Sequence, residues 1–120
     1  DKLAVQTRHM VETFESVVKE NGGRAEVDVQ HVYQSYTLAS DMPVIKIACA
    51  AAESIGIEPV LEGTGGGSDA NYFNVFGVPS AVLGVGMTKV HTTEESILVK
   101  DLIQTAELIV AIIRHVAGKV

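Results

Sequence analysis

The 120 residues carry 15 acidic against 9 basic side chains, a net charge of −6 that disfavours phosphate backbones and anionic lipid surfaces, so nucleic acid and membrane are excluded as expected partners. At 47% hydrophobic residues the chain is too apolar to be disordered, and with no Trp, three Phe and three Tyr its core must come from aliphatic side chains, the mixture of helices packed on a buried sheet. One cysteine forms no internal disulfide and suits a reducing, cytoplasmic setting, and no apolar run reaches the length of a membrane span.

Asp1 leads at once into helical periodicity without a cap, as expected of a chain that continues from upstream residues. Leu3, Thr7, Met10, Phe14 and Val17 recur at spacings of four and three, predicting an amphipathic helix that ends at Asn21, Gly22 and Gly23. From Ala25 the period becomes two. Ala25, Val27, Val29 and Tyr33 alternate with Glu26, Asp28, Gln30 and Gln34, which predicts a strand with one wet face in an antiparallel sheet. Patterning lapses between Ser35 and Asp41, where a hinge is expected, and Pro43 follows at the first turn of a second helix lined by Ile45, Ala48, Cys49, Ala52 and Ile55 and closed by Gly56.

Short apolar stretches at Pro59 to Leu61 and Ser80 to Val85 are too brief and too continuous for amphipathic helices and predict buried central strands. Between them a helix of about two turns fits Ser68 to Phe76, ended by Gly77 and Pro79. A last helix presents Leu102, Ala106, Ile109, Val110, Ile113 and Val116 on one face, with Asp101 at the positive end of its dipole.

Two segments have the residues for chemistry. Gly65, Gly66, Gly67, Ser68, Asp69, Ala70 and Asn71 lie between a predicted strand and a predicted helix, where glycines let backbone N–H groups approach a ligand such as a carboxylate. A flexible turn with an ordinary Ser or Asp cap has the same composition, and spacing alone does not separate the two. His91, Thr92, Thr93, Glu94 and Glu95 follow the apolar strand and the Gly84-Val85-Gly86 turn, at the strand end where open α/β sheets bind ligands. An imidazole there suits zinc, but zinc needs three or four convergent ligands, and a lone loop histidine is more often solvated. Cys49 reads as a small apolar filler, and His9, His31 and His115 have no ligand spacing to one another.

Gly65 to Asn71, then Phe73-Asn74, Gly77-Val78-Pro79, Leu83-Gly84-Val85-Gly86 and His91 to Glu95 resemble, in order and spacing, the C-terminal catalytic segment of the peptidase T-like zinc exopeptidases. The wider family includes carboxypeptidase G-like enzymes, dipeptidases and aminoacylase. The resemblance implies the C-terminal part of a two-domain α/β zinc exopeptidase: residues 1–37 as the end of a lid or dimerisation domain, and 38–120 as the end of the catalytic α/β domain. It further implies His91 as one ligand to a zinc of a two-zinc site. Gly65, Gly66, Gly67, Ser68 and Asp69 become the loop facing a short peptide substrate, and Thr92 and Glu95 support the histidine.

No catalytic residue is expected within these residues, because the family's other ligands and its general base have no counterpart here. The 120 residues alone are therefore expected to be inactive. Two alternatives stay open: a non-catalytic module that forms a homodimer through the strand at 25–36, and an N-acyl amino acid deacylase of the same family.

Overall fold

The computed structural model describes residues 2–118. Among the described residues there are four helices, α1 (Lys2–Glu20), α2 (Pro43–Ser54), α3 (Asp69–Val75) and α4 (Val99–Val116). The chain divides between residues 32 and 33 into two compact units.

The first unit holds α1, which closes as its Asn21-Gly22-Gly23 terminus predicts. Gly22 N–H donates to Lys19 O (3.1 Å) and Gly23 N–H to Val18 O (2.8 Å), pairing two carbonyls that the last turn would leave open. The side-chain amide of Asn21 adds a bond to Val17 O (2.7 Å). None of the helix residues is buried, so the apolar stripe of Leu3, Met10, Phe14 and Val17 stands uncovered.

The second unit is organised by α2 and α4, which pack on each other. Pro43 occupies the start of α2, where its fixed φ suits the first turn and its missing N–H costs nothing. The buried positions on these helices are alanines, Ala51 and Ala52 on α2 and Ala111 on α4, and such small side chains let two backbones approach closely. Beside this contact lies an open apolar cavity of about 420 Å³, lined by Val44 and Ile47 of α2, Ile112 and Val116 of α4, and Leu83. Leu83 of the 80–85 segment thus borders the same cavity as both helices.

The sequence-based expectation of strands at 25–36, 59–61 and 80–85 needs correction. Among the described residues the only β pairing is a single antiparallel bridge, Thr88 to Ser96. The expected burial of the latter two segments fails as well, since Val60 is 73% exposed and Val82 is also exposed. The physical reason is that a strand is stabilised by its neighbour's backbone N–H and C=O groups and by cross-strand side chains. Alternation and apolar runs record a segment's suitability for a sheet, while the ladder itself requires a partner that none of the described residues provides.

One close approach fixes the start of α4. Gly86 has φ +83°, and a Cβ on it would lie 2.9 Å from Asp101 Cβ. Gly86→Ala combines a left-handed backbone with overpacking and is expected to destabilise the second unit by about 2 kcal/mol or more. A lowered denaturation midpoint measures it, and an unchanged midpoint contradicts it.

Candidate active-site loops

The glycine loop is held from below by Asn71, a residue of α3 that is only 6% exposed. Its Oδ1 accepts the Ser68 N–H (3.0 Å), which occupies an orphan donor at the helix start, and its Nδ2 donates to Gln34 O (2.7 Å). A buried amide costs little only when paired, and here both ends are paired. Ser68 is the extended N-cap of α3 and Asp69 the acidic residue of its first turn, a favourable charge at the positive end.

Within the loop, Gly66 N–H donates to Thr64 Oγ1 (3.2 Å). The Gly66 and Ser68 amides are thus engaged internally. Those of Gly65 and Gly67 donate no hydrogen bond among the described residues, which leaves them as the loop's available donors.

A second clamp stands at the other end of α3. Asn74 Nδ2 donates to Ala70 O (2.7 Å) and Ser80 O (2.8 Å), while its Oδ1 accepts the Ser80 N–H (3.1 Å). The side chain therefore ties the helix to the head of the 80–85 segment, which leads towards the histidine.

His91 sits in a loop pinched by the Thr88 to Ser96 bridge, whose two backbone bonds measure 2.9 and 3.2 Å. Its φ is +66°, a left-handed conformation that non-glycine residues adopt sparingly and that needs support from its surroundings. That support comes from Glu95, whose Oε2 accepts the His91 N–H at 2.7 Å. Thr92 Oγ1 donates to Lys89 O (2.7 Å) and accepts the Glu94 N–H (3.2 Å), which fixes the turn. Glu94 pairs with Lys89 at the surface, where both side chains are largely exposed and such a pair contributes little.

The two clusters therefore differ in construction. Behind the glycine loop Asn71 holds Ser68, and the Tyr33 ring lies against Gly67, whereas the His91 turn is held by Thr92 and Glu95. Asn71 was part of the sequence motif without a role, although a polar residue three positions after a Ser cap is the spacing of a reciprocal cap. Tyr33 gave no signal, because its contact with the loop spans more than thirty residues of sequence.

Among the described residues no group of three or more His, Cys, Asp and Glu could hold a metal ion. The single imidazole of His91 does not amount to a zinc site, which takes four ligands or three plus water.

The model of peptidase family M20/M25/M40 matches residues 3–115. Aminopeptidase PepT from Bacillus cereus ATCC 10987 shares 46% identity and superposes with a TM-score of 0.74, over 97% of this chain and 31% of its own. A tripeptidase from Staphylococcus aureus subsp. aureus mu50 shares 38% identity with a TM-score of 0.76, over 98% of this chain and 31% of its own. Protein YqjE of Bacillus subtilis is 38% identical over 117 residues, 98% of this chain and 32% of its own. The chain thus spans about a third of the length of the relatives it matches.

Proposed function

We propose that the longer protein containing these residues hydrolyses short peptides as a tripeptidase-like metallo-exopeptidase, from the premise that this chain belongs to peptidase family M20/M25/M40. The observation that supports the reading is the left-handed backbone of His91 with its amide anchored on the Glu95 carboxylate, because strained backbone of this kind clusters at functional sites.

In this reading His91 is one zinc ligand of a two-zinc centre, and the remaining ligands and the general base come from residues outside this chain. Two zinc ions would supply Lewis acidity and an activated water. The 120 residues supply the aim of one imidazole, the substrate loop at Gly65, Gly66, Gly67, Ser68 and Asp69, and the Thr92 and Glu95 supports. The Gly65 and Gly67 amides would receive the free carboxylate of the peptide. Residues 1–37 would end the lid domain and 38–120 the catalytic α/β domain, whose sheet the segments at 59–61 and 80–85 would join. The protein would act in the cytoplasm as a dimer through its lid.

The full-length product is expected to bind about two zinc ions and to release amino acids from di- or tripeptides. A full-length protein that cleaves N-acyl amino acids and no tripeptide would defeat the peptidase assignment. Within the same protein, Glu95→Ala removes the acceptor of the His91 amide, and kcat is expected to fall by about ten- to a hundredfold with the unfolding midpoint nearly retained. Unaltered kcat would remove Glu95 from the site.

A further inference from the structure

The glycine loop has one wall contributed by a distant part of the chain. A Cβ on Gly65 would meet nothing within 4 Å, and one on Gly66 only the neighbouring Thr64 Oγ1 at 3.7 Å. On Gly67 it would fall 2.0 Å from the Tyr33 hydroxyl oxygen and 2.3 Å from the ring carbon that bears it, so the phenol lies directly on the Gly67 backbone. Three neighbouring contacts keep it there. Tyr33 meets the Tyr72 ring edge-on at 6.1 Å between centroids, and the carbonyl of the next residue, Gln34, accepts from the buried Asn71, which in turn holds Ser68. A run of three glycines loses more conformational freedom on ordering than any other sequence. The chain fixes this one through a ring at its third glycine and an amide just behind it.

We infer that Tyr33 is a positioning residue that sets the shape of the 65–68 loop and thereby its fit to the peptide carboxylate. The second half of this statement rests on the function proposed above; the first half rests on the contacts alone. Because Tyr33 is still 45% exposed, replacing it is expected to loosen the loop without removing a core side chain.

The test uses the full-length protein and two readouts. In hydrogen exchange, Tyr33→Ala is expected to speed the hydrogen-bonded amides of Gly66 and Ser68 by about tenfold, while Tyr33→Phe, which keeps the ring, leaves them within about twofold of the parent. In tripeptide hydrolysis, Tyr33→Ala is expected to raise KM about tenfold with kcat within about threefold, and Tyr33→Phe to restore KM. Gly67→Ala should lose activity in the parent background and regain at least about fivefold when Tyr33→Ala removes the clash, a recovery that only direct contact gives. Where alanine at position 33 unfolds the protein, Tyr33→Leu replaces it. Exchange at Gly66 and Ser68 that ignores the loss of the ring overturns the inference. An effect confined to kcat overturns its substrate half. Faster exchange in a protein that cleaves no peptide leaves Tyr33 in place and instead refutes the peptidase reading.

Discussion

His91→Ala in the full-length protein is expected to reduce peptide hydrolysis by at least about a thousandfold and to lower bound zinc from about two ions towards one, with the unfolding midpoint little changed. The asymmetry between activity and stability follows from where the residue sits. His91 is exposed, its carboxylate partner Glu95 contacts the backbone N–H and not the imidazole, and the Thr88 to Ser96 bridge closes the loop without the side chain. Alanine therefore keeps the amide bond, although it bears the left-handed φ less readily than glycine would. His91→Gly offers a control, since it relaxes the backbone while still deleting the ring. Both variants should be equally inactive if the imidazole is what matters. Metal analysis and kcat/KM on a tripeptide measure the effect, and a His91→Ala protein that keeps both zinc ions and its activity removes the foundation of the proposed function.

The second large effect is expected for the 120 residues produced by themselves. Among the described residues the buried hydrophobic side chains are four alanines, whereas Ile113 is 61% and Phe76 79% exposed, and Leu102, Ile103, Ile109 and Val116 on α4 are likewise uncovered. A chain with 47% hydrophobic residues normally buries its Val, Ile and Leu first. Contiguous apolar surface of this kind invites association or dye binding. The isolated chain is expected to raise the fluorescence of a hydrophobic-surface dye at least about fivefold over the full-length protein and to sediment as species larger than a monomer. Helical circular dichroism should survive, because α2 and α4 support each other. A dark, monomeric chain with a sharp unfolding transition would show that these faces need no covering.

The helices were legible in the sequence because a helix satisfies its own backbone. Pro43, the Gly56 and Gly77 termini, Ser68 before α3 and the apolar spacing of α4 all act within a turn or two of where they stand, and each element lies within two residues of its expectation. The strands were not legible in this sense. Val27 and Val29 alternate as a strand should, and Ser80 to Val85 is apolar as a central strand should be, but pairing is decided by another segment.

The candidate site divides along the same line. The glycine loop and the His91 turn announce themselves by composition and order. Glu95, four residues from His91, was within reach of sequence reasoning, whereas Tyr33 on Gly67 and Gln34 on Asn71 are matters of tertiary approach.

The single pairing of Thr88 with Ser96 has a consequence for how these residues can change over time. Seven positions lie inside that closure, and Glu95 reaches His91 because both are counted from the same two ends. Adding or deleting one residue between 89 and 95 is expected to shift His91 relative to Glu95, while the same change at 97 or 98, outside the closure and ahead of α4, is expected to leave their contact in place. The spacing from 88 to 96 behaves as a ruler, and a change of length is expected to be tolerated only beyond its mark.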